Sequence, residues 1–131
     1  MAFSLINGLV SGLILAAFLA LCDGLFGTTT FQVLIDVGYV PILSGLPSIV
    51  ELAIHLLISI MVTVTLLLMY PRTPQRAMLK YALIWIGVFC LLYFPFSLLS
   101  QQPLTFTGFI VWAIGHALYT FYVIYQIERN R

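Results

Sequence analysis

Charged residues are scarce in this chain. They make up 7% of its 131 residues, whereas 63% are hydrophobic. A water-soluble domain has about a quarter of its positions charged, because polar groups must cover its surface. The low charge therefore excludes a soluble globular domain. Without a basic patch of the kind that contacts phosphates, no nucleic-acid partner is expected either.

The sequence also lacks paired cysteines and any catalytic motif. Its two cysteines, Cys22 and Cys90, do not form a C-x-x-C pair, so neither a redox pair nor a metal site is predicted. Both are expected to be small buried side chains. Cys90 with His116 as a base is the one nucleophilic pair to weigh, and no spacing supports it. An enzyme is therefore not favoured.

What the sequence does contain is four long apolar stretches, at about 2–26, 49–70, 77–99 and 105–126. Each has roughly 20 or more residues, and at about 1.5 Å rise per residue such a helix crosses a hydrocarbon core of about 30 Å. No Lys or Arg precedes the first stretch and no small-x-small site follows it, so we expect a mature helix rather than a cleaved signal. The prediction is all-α: residues 1–131 form a single transmembrane domain, an integral membrane four-helix bundle.

The basic residues are confined to two places in the chain. They are Arg72, Arg76 and Lys80 around the second connection, and Arg129 and Arg131 at the C-terminus. Because basic loops stay in the cytoplasm, both termini and the 71–76 loop are predicted to be cytoplasmic, an N-in/C-in orientation. The expected location is the cell membrane of a bacterium, that is, the cytoplasmic or inner membrane, which the chain crosses several times with the lipid bilayer as its partner.

Connections of different lengths join the four stretches. The second and third are short, so the last three stretches are predicted to pack as successive antiparallel hairpins. The first connection, residues 27–48, is the longest, and apolar residues share one helical face in it: Phe31, Leu34 and Ile35. A short interfacial helix is predicted there, capped by Thr30 and able to act as a lid. Ser48 and Glu51 then match a capping box that opens the second stretch.

Small residues recur every four positions along the first stretch: Gly8, Gly12, Ala16, Ala20 and Gly24. In lipid no hydrophobic force brings helices together, so such a seam permits the close backbone approach that dispersion contacts need. Two interpretations stay open. The seam packs against a neighbouring helix of the same chain, or it forms the interface of a homo-oligomer.

A polar stripe follows the second stretch: Glu51, His55, Ser59 and Thr63, each four residues after the last. At about 100° per residue these side chains stay on one face. A charge facing hydrocarbon costs at least about 2.5–3.5 kcal/mol, so the stripe must face protein or a wet cavity. His55 is expected to form a hydrogen bond back to Glu51 unless a ligand takes that place.

The fourth stretch contains a histidine within an apolar run, VWAIGHALYT (residues 111–120). Counted from the start of the stretch, His116 lies about 16 Å below the outer surface, near the middle of the bilayer and close to Tyr119. Its ring needs a hydrogen-bond partner there. Pro95 in the third stretch leaves the carbonyl of Leu91 without its helical N–H, so this carbonyl is a candidate.

Together these residues predict a polar pocket that opens outward and is roofed by the 27–48 loop. Its ligand-binding or proton-switching residues are expected to be Glu51, His55, His116 and Tyr119. The favoured function is to bind, or to help transport, a small or amphipathic ligand.

Two alternatives stay open. The first is a non-catalytic membrane scaffold or a subunit of a larger complex, bound to a membrane partner protein or to its own copies. The second is a haem protein with His55 and His116 as axial ligands, whose expected depths differ by about 7 Å. No other cofactor is expected.

The third stretch is interrupted by proline, as in YALIWIGVFCLLYFPF, and the fourth is rich in glycine and tyrosine, as in GHALYTFYVIY. With the long first outer loop, this layout resembles that of uncharacterised small bacterial four-helix integral membrane proteins. The resemblance covers the topology of most of the chain and implies the four-helix membrane architecture. It carries over no active-site residue.

Overall fold

A computed structural model describes residues 2–70 and 76–129 of the chain. Its elements are, in order, α1 (Ala2–Phe26), α2 (Thr30–Ile35), a 3₁₀ turn (Pro41–Leu43), α3 (Ser48–Met69), α4 (Arg76–Leu99) and α5 (Phe106–Arg129). Within the described residues all regular secondary structure is helical. Most of the predicted cytoplasmic loop, residues 71–75, lies outside the described residues.

Four of the described helices, α1, α3, α4 and α5, are long and apolar enough to cross a membrane. They confirm the predicted all-helical architecture and indicate a multi-pass membrane protein. α5 continues to Arg129 because helical backbone hydrogen bonds extend into polar residues beyond the apolar run. The Tyr122 hydroxyl near the end of α5 donates to Asn7 Oδ1 near the start of α1 at 3.3 Å. The first and last helical turns therefore lie at the same end of the bundle.

The surface of the long helices is apolar, unlike that of a soluble protein, and polar side chains are buried together with the apolar core. Large apolar side chains are exposed on the long helices; the exposed fractions of Leu68 and Phe106 are 78% and 80%. The fully buried side chains include hydroxyls, among them Ser11, Thr63 and Thr120. Exposed apolar surface of this extent is stable in lipid and would cause aggregation in water, so the packing supports a membrane environment.

α1 packs against both α3 and α5. Two glycines allow its close approach to α3. A Cβ atom on Gly8 would lie 2.6 Å from the Cα of Ile60. A Cβ atom on Gly12 would lie 2.8 Å from the Oγ of Ser59. Any larger residue at these positions would separate the two helices.

The small-residue seam predicted on α1 is divided between interior and surface. Ala16 is buried together with Gly8 and Gly12. Ala20 and Gly24 are exposed, and no described atom lies within 4 Å of a Cβ placed on Gly24. The first half of the seam therefore packs within the chain, and a contact with another copy could use only the second half.

The predicted hairpin of the second and third stretches does not pack along its length. α3 and α4 make no backbone contact in the described part of the chain. They meet near their 71–75 end, where the Tyr81 hydroxyl donates to the Leu66 carbonyl at 2.7 Å and the rings of Tyr70 and Tyr81 lie 5.4 Å apart. The prediction is wrong because a short loop fixes only the adjacent ends of two helices. α5 packs along α4 instead, as predicted for the other hairpin.

α2 lies across the other end of the bundle and contacts all four long helices. The carboxylate of Asp23, at the end of α1, holds its start. This carboxylate accepts hydrogen bonds from the backbone N–H of Thr30 at 3.0 Å and of Phe31 at 2.7 Å. The hydroxyls of Thr28 and Thr30 also donate to it. Thr30 is thus the first residue of α2 and not its cap, because Asp23 supplies the acceptor that a capping side chain would provide.

Glu51 does not form the predicted capping box. α3 begins directly after Pro47, which occupies the capping position, and no side-chain capping hydrogen bond is formed. Because Ser48 is already inside the helix, its hydroxyl is one residue too late to cap it. The Glu51 carboxylate accepts instead from the backbone N–H of Val37 at 3.1 Å. Glu51 therefore ties the segment after α2 to α3.

Candidate functional site

A cavity of about 220 Å³ lies beneath α2, in the space between α3 and α4. All five helices contribute to its walls, together with residues that follow α2 directly. Between α3 and α4 the walls are apolar and include Ile58, Val62, Leu92 and Phe96. The cavity thus lies where the polar face of α3 meets α5, α2 and the residues that follow α2.

Three of the four predicted site residues line this cavity. His55 comes from α3, whereas His116 and Tyr119 come from α5. Glu51 is buried but is not part of the lining, since its carboxylate is bonded to Val37. The fold therefore brings two histidines from different helices to one cavity.

Tyr119 belongs to a network of hydroxyls that is complete without a ligand. Its hydroxyl donates to the Ser59 carbonyl at 3.0 Å and lies 3.1 Å from the Thr63 hydroxyl. The Ser59 hydroxyl donates in turn to the Gly8 carbonyl at 2.7 Å. Because the network joins α1, α3 and α5, its first effect is to hold these helices together.

His116 has one nitrogen bonded to protein and one that is not. Its Nδ1 lies 2.9 Å from the carbonyl of Trp112 in the same helix. The carbonyl of Leu91 is therefore not its partner. The α4 carbonyl that bonds to α5 is that of Phe89, which accepts a hydrogen bond from the Trp112 indole N–H at 2.9 Å. Nε2 of His116 has no hydrogen-bond partner among the described residues, and the ring lines the cavity.

His55 bonds to α1 and not to Glu51. Its Nε2 lies 3.4 Å from the Gly12 carbonyl, a contact that depends on the close approach of the two helices. The predicted hydrogen bond to Glu51 is wrong: the His55 ring bonds to α1, and the Glu51 carboxylate accepts from Val37. Nδ1 of His55 has no hydrogen-bond partner among the described residues. Each histidine therefore has one nitrogen available to a ligand.

Residues after α2 line the end of the cavity nearest that helix. They include Asp36, Val37 and Tyr39. The Asp36 carboxylate accepts from the Gly38 N–H at 2.8 Å. Partial burial, and secondly the charge of Asp36, raise the pKa of the Tyr39 phenol above its usual value. Tyr39 is therefore protonated at neutral pH and can donate a hydrogen bond at this end.

No sequence motif predicted the aromatic side chains that surround His116. The ring centroids of Trp112 and Phe89 lie 4.4 and 5.1 Å from that of His116. Trp112 precedes His116 by one helical turn, so its position on the same face is visible in the sequence. Phe89 comes from α4, and its contact depends on how α4 packs on α5, which no local pattern reports.

Within the described residues, no three side chains of His, Cys, Asp or Glu lie close enough together to hold a metal ion. Both cysteines are free thiols, with Cys22 buried and Cys90 half-buried. No family model, curated protein or solved structure matches this chain.

Proposed function

We propose that this chain is a membrane protein that binds, or helps to transport, a small amphipathic ligand in the cavity beneath α2. The proposal is supported by the two histidines, His55 and His116, that line one cavity from different helices. Each has a ring nitrogen without a hydrogen-bond partner among the described residues. Both residues line the cavity, so each open nitrogen is a group to which a ligand in the cavity would bond.

The proposal includes an orientation in a bacterial cytoplasmic membrane, with both termini in the cytoplasm and α2 at the outer face. Its support is the distribution of charge. Lys80 and Arg129 lie in the terminal turns at the end of the bundle where the chain begins and ends. Three of the four acidic residues, Asp23, Asp36 and Glu51, lie at the opposite end, near α2. Basic residues remain on the cytoplasmic side of membranes.

The alternative is a non-catalytic scaffold or a subunit of a larger membrane complex. It is favoured by the network around Tyr119, in which Ser59 and Thr63 are satisfied without a ligand. The exposed second half of the small-residue seam, Ala20 and Gly24, would then be a surface for another helix.

Mass spectrometry of small molecules that copurify with the protein tests the proposal. His116→Phe keeps an aromatic ring in place but removes Nε2, and Leu118→Phe adds the same ring at a position that is 45% exposed. We expect one amphipathic molecule to copurify with the wild type and with Leu118→Phe. His116→Phe should retain about tenfold less, because an unpaired buried donor on the ligand costs about 1–3 kcal/mol.

Circular dichroism and size-exclusion chromatography show whether His116→Phe keeps its fold. Equal amounts of ligand in all three proteins, or none in the wild type, would overturn the proposal. A copurifying protein whose association is lost in His116→Phe would support the scaffold alternative. An absorption spectrum of the same samples tests the haem alternative, which predicts a Soret band.

A further inference from the structure

The two histidines present hydrogen-bond acceptors to the cavity. A carbonyl oxygen only accepts, so in a neutral ring the nitrogen bonded to a carbonyl carries the proton. In His116 this nitrogen is Nδ1, which leaves a lone pair on Nε2. In His55 it is Nε2, which leaves a lone pair on Nδ1. No acidic side chain of the described residues bonds to either ring, and an unpaired imidazolium is costly to bury. A ligand at these nitrogens must therefore donate.

The charges around the cavity do not suit an ionic ligand head. No Lys or Arg of the described residues lines it, and the acid in its lining is Asp36 near α2. A phosphate or carboxylate would find no cation and would be repelled by Asp36. An ammonium would lose its hydration beside two neutral rings, and Asp36, the one acid in the described lining, already accepts a hydrogen bond from Gly38. A hydroxyl donates a hydrogen bond without either cost.

The cavity is too small to enclose a whole lipid molecule. Its volume of about 220 Å³ exceeds the roughly 150 Å³ of an apolar cavity that binds benzene. It is smaller than the roughly 300–1,000 Å³ of sites that enclose drug-sized ligands. A hydroxyl and the first few methylenes of a chain fit inside, and the remainder of a long chain must lie outside.

The gap between α3 and α4 is the path by which such a chain can leave. The two helices make no backbone contact in the described residues. The gap is apolar: Ile58 is 48% exposed, and Leu92 and Phe96 are half-buried. Toward the outer end the path is covered by α2, which Asp23 and Glu51 hold at its start and just beyond its end. A hydrocarbon chain in the gap would remain in contact with lipid.

We infer that the ligand is a long-chain alcohol, a neutral lipid with a terminal hydroxyl, that enters from the bilayer between α3 and α4. Its hydroxyl donates to the lone pair on Nε2 of His116, and its chain extends through the gap into the bilayer. The inference rests on the proposed ligand-binding function and adds the chemical class of the ligand and its route.

Quenching of Trp112 fluorescence measures the binding. Trp112 lines the cavity, and Trp85→Phe removes the other of the two tryptophans. The single-tryptophan protein in nanodiscs is titrated with 2-bromododecan-1-ol, whose bromine next to the hydroxyl acts as the quencher. Unlabelled 1-dodecanol, its methyl ether, dodecanoate and dodecylamine are then added as competitors. We expect 1-dodecanol to displace the quencher at a concentration at least tenfold lower than any of the other three.

Two phenylalanine variants test the route. Ile58→Phe narrows the gap between α3 and α4, whereas Leu57→Phe adds the same ring one residue away, at a position that is 59% exposed and outside the cavity lining. Stopped-flow quenching should be at least threefold slower in Ile58→Phe and unchanged in Leu57→Phe. Equal rates in both variants and the parent would refute entry between the helices.

The outcomes separate this inference from the function on which it rests. If no competitor displaces the quencher, the proposed binding function fails and the inference fails with it. If the methyl ether, dodecanoate or dodecylamine displaces as well as 1-dodecanol, binding stands and the inferred ligand class is wrong. Preference for 1-dodecanol together with slowed entry in Ile58→Phe supports both parts of the inference.

Discussion

At the scale of single residues, contact distance limits which side chains α1 can carry. The Cβ position at Gly8 is 2.6 Å from the Cα of Ile60, a backbone atom that cannot rotate away. The same close approach lets the Ser59 hydroxyl reach the Gly8 carbonyl at 2.7 Å and brings His55 to the carbonyl of Gly12. Packing and hydrogen bonding between α1 and α3 therefore depend on the same glycines.

Gly8→Ala should destabilise the bundle. The added methyl group cannot be accommodated unless α1 and α3 move apart, and overpacking of this kind costs about 1–3 kcal/mol. Reversible unfolding in mixed micelles, followed by circular dichroism, gives the change in the free energy of unfolding.

Gly24→Ala is the matched control, because no described atom lies within 4 Å of its Cβ position. In an exposed helical position alanine is favoured over glycine by up to about 1 kcal/mol, so this variant should be as stable as the wild type or more so. Equal losses in Gly8→Ala and Gly24→Ala would contradict the packing of α1 on α3.

At the scale of elements, α2 has only six residues and depends on side chains from other helices to hold it. Isolated helices of this length are not stable in water. The carboxylate of Asp23 takes up the backbone N–H groups of Thr30 and Phe31, and that of Glu51 takes up the N–H of Val37. α2, which covers the cavity, is therefore held at its start by Asp23 of α1 and just beyond its end by Glu51 of α3.

Asp23→Asn should loosen α2 while the long helices stay folded. The amide is neutral and offers one acceptor oxygen where the carboxylate has two, and a hydrogen bond to a charged group contributes about 1.5–3 kcal/mol. Hydrogen exchange of the amides of residues 30–37 should accelerate by roughly ten- to a hundredfold.

Asp36→Asn serves as the comparison, since Asp36 accepts a hydrogen bond only from Gly38 in the described residues. Its effect on exchange in residues 30–35 should be small. If the amides of residues 30–37 exchange at the wild-type rate in Asp23→Asn, Asp23 does not hold α2 in place.

At the scale of the whole molecule, apolar side chains cover the long helices and polar side chains meet inside. This arrangement fits lipid, because hydroxyls and imidazoles find partners only within the bundle. The proposed orientation then places the basic ends of α4 and α5 in the cytoplasm and α2 at the outer surface.

Cysteine labelling in intact cells tests that orientation. In a background of Cys22→Ala and Cys90→Ala, Ile42→Cys places a thiol in the outer connection at a position that is 90% exposed. A membrane-impermeant maleimide should label it from outside the cell. Gln75→Cys, in the predicted cytoplasmic loop, should be labelled only after the membrane is permeabilised. The reverse pattern would refute the N-in/C-in proposal.

Local patterns were enough to predict the long helices. The apolar length of each helix is a property of about 20 consecutive residues, and helical periodicity alone placed Glu51, His55, Ser59 and Thr63 on one face, all of which are buried.

Hydropathy and helical period were thus enough to predict the four long helices and the buried polar face of α3. No local pattern predicted the partner of each polar group: Val37 for Glu51, the Gly12 carbonyl for His55 and the Trp112 carbonyl for His116. Nor did any local pattern predict that α3 and α4 diverge and leave the gap beneath α2. Hydropathy and helical period depend on neighbouring residues, whereas the gap and the bonds of Glu51 and His55 depend on distances between segments that only the packing of helices sets.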